Sequence, residues 1–269
     1  MKSEVRNKII EILAEIGYSY RETLEELRAN KNNLNNYLSG LLITKGNEIA
    51  EEYLRNTNKA FLLDDALRYF DRAVFYSPEN VDANRFMGFA LIQIDELKKE
   101  DSNQTFIKAL GYFNKAIQLD LKDFPSYAYR GVCYGKLAAN ASAYSESRDY
   151  FLKAFSQYNI AAKLKSSFYF TFNNWGCDQA EWATRNDGQQ AIDYFKKAFD
   201  NFRIATELEP KNPQAWSNWA YALMEMSEYK DGDTAKALLK DSVAKQEKSF
   251  ELGGPPVFHY DLFDEVSLN

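Results

Sequence analysis

The side chains that most often carry catalysis or bind metals are scarce or scattered in this sequence. His259 is the single histidine among 269 residues, so no Ser-His, Cys-His or multi-histidine metal arrangement can form within one chain. Cys133 and Cys177 lie in different predicted helices and have no cysteine nearby, which argues against a zinc site. We therefore expect no catalytic residues, no metal site and no cofactor.

Other kinds of chemistry also lack a sequence pattern. Neither a Gly-x-x-x-x-Gly-Lys-Ser/Thr phosphate loop nor a Gly-x-Gly-x-x-Gly turn is present. The 39 acidic residues place carboxylate pairs on many helices, and such pairs are usually solvated surface groups rather than acid/base dyads. The formal net charge is −6 and no dense basic stripe occurs, so we expect no nucleic-acid partner.

The sequence predicts a cytoplasmic protein that does not enter a membrane. Charged residues interrupt the first eleven positions where a secretory segment would be apolar, and no later stretch approaches 18 apolar residues. Two cysteines are few for an extracellular domain of this size, so both are expected to be reduced.

Composition favours helices joined by short turns. The chain is 45% hydrophobic and 15% aromatic, which is too apolar for a disordered chain, and 12 Gly and 6 Pro leave few breaks for a strand-rich fold.

An internal repeat organises most of the chain. The pattern Ala, three residues, an aromatic, two residues, Ala occurs four times, with successive spacings of 43, 45 and 44 residues. The copies are Ala66/Phe70/Ala73, Ala109/Phe113/Ala116, Ala154/Tyr158/Ala161 and Ala198/Phe202/Ala205. A small residue leads each copy with nearly the same period, at Gly46, Gly88, Gly131 and Gly176, with Ala220 in the fifth unit. A fifth, degraded copy is expected to begin at Ala244 and reach Pro256.

Helix packing explains why these residue types recur together. Small residues one or two turns apart let a neighbouring helix approach closely, and the aromatic between them fills the remaining space. Because Gly within a helix costs about 1 kcal/mol relative to Ala, four matched glycines indicate a contact that a side chain would block.

The arrangement resembles the tetratricopeptide repeat (TPR), whose first helix carries Trp, Leu-Gly and Tyr and whose second carries Ala, an aromatic, Ala and Pro. Matches are Met87-Gly88, Gly131 with Tyr134, Trp175-Gly176, and Trp216 followed by Trp219-Ala220. The Trp position is Asn84, Tyr127 and Phe172 in the middle units, and the period exceeds the usual 34 residues by about ten. The excess falls between the two helices of each unit, which predicts long-helix variants.

The resemblance implies an all-α fold, a right-handed superhelix of antiparallel helix pairs forming a TPR-like α-solenoid. A HEAT or armadillo array fits the period equally, but the Gly and Ala-aromatic-Ala pattern favours the TPR-like fold. We expect an N-terminal helical cap at residues 1–38, about five repeats at 39–254, and an acidic, aromatic tail at 255–269.

In the TPR family the first helices of successive units line a concave groove that holds a partner peptide. Residues on the corresponding faces are the predicted binding residues: Arg85, Phe89, Tyr129, Lys136, Asn173, Asn174, Asn218 and Tyr221. The carboxylate clamp of chaperone-binding members is incomplete, because Ile43, Pro125 and Tyr129 stand where that clamp needs Lys or Arg.

The resemblance implies a non-catalytic scaffold or adaptor with a protein or peptide partner. Two alternatives stay open: a regulatory or sensory module that binds a small ligand or signalling peptide, and an architectural homo-oligomer formed through the N-terminal helices or the tail. The tail is also a candidate occupant of the groove. A prenyltransferase α subunit is disfavoured, because Trp219 replaces the Arg of the Trp-x-x-Arg signature.

Overall fold

Ten helices follow one another in a computed structural model that describes residues 10–17, 34–55, 61–98 and 102–254. A short helical segment at residues 10–15 precedes them. No strand occurs in these ranges, so the predicted all-α fold class is confirmed. The helices are α1 (Leu34–Arg55), α2 (Phe61–Tyr76), α3 (Val81–Lys98), α4 (Ser102–Leu119), α5 (Phe124–Asn140), α6 (Tyr144–Leu164), α7 (Tyr169–Thr184), α8 (Gly188–Leu208), α9 (Pro213–Ser227) and α10 (Gly232–Glu251).

The chain divides into two compact units, Met1–Ser126 and Tyr127–Asn269, with the division inside α5. In unit 1, α1 packs on α2, α2 on α3, and α3 on α4. In unit 2, the same neighbour-to-neighbour packing joins α6 to α7, α7 to α8, α8 to α9 and α9 to α10. At most five residues separate the two helices of a pair, which makes them antiparallel.

Each of the regularly spaced glycines lies against the aromatic ring of its own repeat. A Cβ on Gly46, Gly88, Gly131 or Gly176 would be 2.5 to 2.8 Å from the nearest ring carbon of Phe70, Phe113, Tyr158 or Phe202. The eight alanines that flank these aromatics in the sequence pattern are fully buried. The predicted close approach of helices at these positions is therefore confirmed.

Asn84 and Trp216 explain how the TPR tryptophan position tolerates other residues. The Asn84 side-chain amide donates to the Pro78 carbonyl at 2.9 Å, and the Trp216 indole N–H donates to the Pro210 carbonyl at 3.0 Å. Both acceptors lie six residues upstream, in the turn that precedes the helix. At these two positions, either side chain supplies a donor for this carbonyl.

The fifth copy begins two residues earlier than Ala244. The Ser242 hydroxyl donates to the Ala220 carbonyl at 2.7 Å, and the fully buried Ser249 donates to the Pro213 carbonyl at 2.8 Å. These serines therefore take the two alanine positions on α10, and Gln246 takes the aromatic position. The helix ends at Glu251, and Pro256 lies outside the described residues.

The described part of the N-terminal cap packs on unit 1. Ile12, Leu13 and Ile16 form one apolar cluster with Leu38 and Leu42 of α1. Glu15 adds an ion pair with Arg72 of α2, at 2.7 Å. The rest of the predicted cap, residues 1–9 and 18–33, and the predicted tail, 255–269, lie outside the described residues.

Candidate functional site

Unit 2 contains a cavity of about 510 Å³ that is lined mainly by the first helices of successive helix pairs. Side chains of α5, α7 and α9 form its walls, and Tyr158 of α6 and Phe202 of α8 reach it from the second helices. Tyr158 packs against Gly131 of α5, and Phe202 packs against Gly176 of α7. These repeat contacts therefore set the distance between the helices that form the cavity walls.

Four of the eight predicted binding residues line this cavity: Lys136, Asn174, Asn218 and Tyr221. Lys136 is exposed on α5, and Tyr221 on α9 has 58% of its surface exposed. The Asn174 side-chain amide donates to the Phe170 carbonyl of its own helix at 2.8 Å. The four residues come from three successive first helices, α5, α7 and α9.

Asn173 lies behind the wall instead of on it. It is buried, and its side-chain oxygen accepts a hydrogen bond from the Asn218 amide at 3.0 Å. Asn218 in turn accepts from the Gln214 amide at 2.8 Å. The first bond joins α9 to α7, the second lies within α9, and together they hold Asn218 at the cavity surface, so Asn173 positions a lining residue.

The other three predicted residues are not part of the cavity. Arg85 of α3 is ion-paired with Asp82 and with the buried Asp123 in unit 1. The Tyr129 ring of α5 packs on Phe170 with ring centroids 4.9 Å apart. Phe89 is a partly buried residue of α3 in unit 1. Arg85 and Tyr129 thus make packing and ion-pair contacts within the fold.

The sequence prediction missed a polar cluster in the cavity. The Tyr158 hydroxyl of α6 donates to the Asp178 carboxylate of α7 at 2.9 Å. Gly135 of α5 provides the space for this carboxylate, because a Cβ there would overlap an Asp178 oxygen. Gly135 follows Gly131 by one helical turn, and this second glycine was the available sequence signal for a further close contact.

Burial governs the ionisation of this cluster. Desolvation raises the pKa of Asp178 to about 7, although the Tyr158 hydrogen bond and the positive charge of Lys136 act to lower it. Desolvation and the nearby Asp178 charge raise the pKa of Tyr158 well above its ordinary value, so its hydroxyl remains a donor. A carboxyl group that changes charge near neutral pH therefore faces the cavity.

Burial also keeps the two cysteine thiols and the Tyr221 hydroxyl protonated near neutral pH. Burial raises the pKa of Cys177 to about 12 and also raises that of Cys133, so neither thiol forms an appreciable amount of nucleophilic thiolate. Desolvation and a hydrogen bond to Glu225 raise the pKa of Tyr221 to about 12. The cavity therefore offers hydroxyl, amide and ammonium donors beside carboxylate acceptors, which suits binding by hydrogen bonds and ion pairs.

The helix pairs and their Gly-aromatic contacts define the fold of tetratricopeptide-repeat proteins. The chain is similar to TTC0263, a thermophilic TPR protein of Thermus thermophilus, at 16% identity and a TM-score of 0.58, over 80% of this chain and 95% of that one. At this identity the likeness establishes the fold alone.

Two further solved structures are similar at lower scores. MamA matches at 16% identity and a TM-score of 0.49, over 81% of this chain and 99% of its own. YrrB, described as a TPR protein with an unusual peptide-binding site, matches at 15% identity and a TM-score of 0.48, over 86% and 96%. Neither a protein-family model nor a curated protein sequence matches the chain. No helix in the described ranges is long and apolar enough to cross a membrane.

Proposed function

We propose that this protein is a non-catalytic scaffold that binds an extended peptide or protein segment in the cavity of unit 2. The observation that carries the proposal is that three successive first helices, α5, α7 and α9, present polar and aromatic side chains to one space of about 510 Å³. Asn174 and Asn218 have the amide groups that pair with a peptide backbone, and Tyr221 offers aromatic area for an apolar anchor.

The electrostatics of the lining favour binding over catalysis. The cysteine thiols are held protonated by burial, and the hydroxyl of Tyr158 is committed to Asp178. Since burial also keeps the Tyr158 hydroxyl protonated, none of these groups is the activated nucleophile that covalent catalysis needs.

Tyr221→Ala tests the proposal directly. Peptides of ten residues are selected by display against the immobilised protein, and the affinity of the enriched peptides is measured by fluorescence anisotropy. We expect Tyr221→Ala to weaken binding about ten-fold or more, since truncating an aromatic hot spot costs about 2 kcal/mol or more and about 1.4 kcal/mol corresponds to ten-fold.

Phe250→Ala is the matched control, because Phe250 on α10 is as exposed as Tyr221 (60% against 58%) and is not part of the cavity lining. It should bind like the wild-type protein. The proposal is wrong if no peptide is enriched, or if both variants lose affinity equally.

A second candidate function, a regulatory module that binds a small ligand, is supported by the volume of the same cavity. About 510 Å³ lies within the range of roughly 300 to 1,000 Å³ typical of small-molecule sites. Native mass spectrometry of the purified protein distinguishes the two: a retained small molecule that Tyr221→Ala releases, with no peptide enriched, would favour the ligand-binding module.

A further inference from the structure

The carboxylate of Asp178 is the unusual feature of the cavity in unit 2. It is partly buried on α7, it accepts one hydrogen bond from Tyr158, and α5 makes room for it by having Gly135 opposite. A carboxylate removed from water is costly unless a cation or several donors compensate it. The Tyr158 hydroxyl and the positive charge of Lys136 compensate Asp178 only in part, because its pKa stays raised to about 7.

The charged groups around Asp178 leave the cavity with an excess of negative charge. Of the charged lining residues, α5 contributes Lys136, and α7 contributes Asp178 and Glu181. Glu181 is also paired with Arg185, at 3.4 Å. On α9, Tyr221 is hydrogen-bonded to Glu225, which brings another carboxylate close to the rim. The other titratable lining groups, Tyr158 and Cys177, are neutral.

We propose that the cavity receives the side chain of a lysine or arginine from the bound segment, with Asp178 as its counter-ion. This inference rests on the peptide-binding function proposed above and specifies the chemistry of the partner. A cation in the cavity forms a charge-assisted hydrogen bond with Asp178 and restores the stabilisation that burial removes. The cavity volume accommodates either side chain, and the tyrosine rings of its lining suit the aliphatic stem.

Charge complementarity selects this occupant over the chain's own C-terminal segment. Residues 257–269 contain Asp261, Asp264 and Glu265, and their single basic candidate is His259. Such a segment brings further negative charge to Asp178 and Glu181, and like charges in contact oppose binding. We therefore expect the occupant to be a basic segment of another protein.

A display selection tests the inference. A random library of ten-residue peptides is selected in parallel against the wild-type protein, Asp178→Asn and Asp200→Asn. The asparagine at 178 keeps the size and the acceptor for Tyr158 while removing the charge. Asp200 is an exposed carboxylate on α8 and serves as the matched control. We expect lysine and arginine to be enriched by the wild type and the control, and this enrichment to be lost with Asp178→Asn.

A second measurement tests whether the enrichment of basic residues depends on an ion pair between the peptide lysine and Asp178. In an enriched peptide the lysine is replaced by norleucine, which keeps the aliphatic stem and removes the charge. Anisotropy should show about ten-fold or greater weakening with the wild-type protein and little change with Asp178→Asn, because the ion pair exists only in the first case. Between pH 8 and pH 6 the lysine peptide should lose affinity for the wild type, as Asp178 gains a proton, and keep it for Asp178→Asn.

The outcomes separate this inference from the proposed function. Enriched peptides without basic residues, or equal binding of the lysine and norleucine peptides, would overturn the inference and leave peptide binding established. An absence of enriched peptides would reject both. Circular dichroism of each variant verifies that it is folded. Tyr158→Phe offers a second variant: it removes a hydrogen bond that lowers the pKa of Asp178, so the lysine peptide should lose affinity at a higher pH than with the wild type, and an unchanged pH dependence would contradict the inference.

Discussion

At the scale of single residues, the carboxylate of Asp178 combines a cost to stability with a position in the cavity. The surrounding helices remove water from it, and its hydrogen bond to Tyr158 restores only part of the lost solvation. Groups whose pKa is shifted by burial inside a cleft are frequent at functional sites, which is why Asp178 carries more weight than the exposed acidic residues.

The raised pKa of Asp178 predicts how stability depends on pH. The unfolded carboxyl has a pKa near 3.9, whereas burial raises that of the folded protein to about 7. Between these values the folded state binds the extra proton, so this group stabilises the fold at low pH and loses that contribution as pH rises through 7. We expect Asp178→Asn to raise the melting temperature at pH 8 by a few degrees, or about 2 to 4 °C for each kcal/mol gained.

Thermal unfolding at pH 8 and pH 6 measures this effect. The advantage of Asp178→Asn over the wild type should shrink at pH 6, because the wild-type carboxyl is then protonated. Asp200→Asn should follow the wild type at both values. An Asp178→Asn melting temperature equal to or below that of the wild type at pH 8 would contradict the assigned burial cost.

At the scale of helices, the contact between a glycine and an aromatic ring sets the approach of the two helices in a pair. Gly88 of α3 lies against the Phe113 ring of α4, where a Cβ would be 2.7 Å from a ring carbon. Gly111, on α4 itself, has no atom within 4 Å of the corresponding Cβ position. A side chain at Gly88 would therefore clash with the Phe113 ring, whereas a side chain at Gly111 would meet open space.

Alanine substitutions at these two positions should have effects of opposite sign. Gly111→Ala should stabilise the protein by about 0.5 to 1 kcal/mol through helix propensity alone. Gly88→Ala gains the same propensity but forces the Phe113 ring or the helix to move, and overpacking of this kind costs about 1 to 3 kcal/mol. Urea unfolding of both variants provides the comparison. A stabilised Gly88→Ala would show that the ring moves freely and that the glycine is unnecessary for packing.

At the scale of the whole molecule, the chain consists of repeats that contact their sequence neighbours. Long-range packing within each unit is dominated by helices adjacent in the sequence, and the stability of such arrays approximates a sum of local terms. Damage to one glycine-aromatic contact should therefore remain local.

Hydrogen exchange tests this locality with one substitution in each unit. Gly88→Ala should increase amide exchange chiefly in α3 and α4, and Gly176→Ala, whose Cβ would be 2.8 Å from the Phe202 ring, chiefly in α7 and α8. Gly111→Ala is the control and should increase exchange in neither region. An equal increase throughout the chain after either substitution would indicate a single cooperative unit in place of locally coupled repeats.

The helix pairs and their main contacts could be predicted from the sequence. Gly131 and Tyr158 are an example, because a glycine and an aromatic that recur with the same period predict a close helix-helix contact. Both the period and the size of the side chains can be taken directly from the sequence. The fifth copy was misplaced because Ser242 fills an alanine position there, and its hydroxyl is satisfied by a carbonyl that only the fold brings near.

Which residues share the cavity depends on how the helices pack and could not be predicted from the sequence. Lys136 and Tyr221 were predicted and line it, whereas Tyr129 was also predicted and packs on Phe170. Asp178 was not predicted at all. The pKa of Asp178 is raised because the helices around it exclude water. Such desolvation depends on packing among residues that are far apart in the chain, as Tyr158 and Asp178 are.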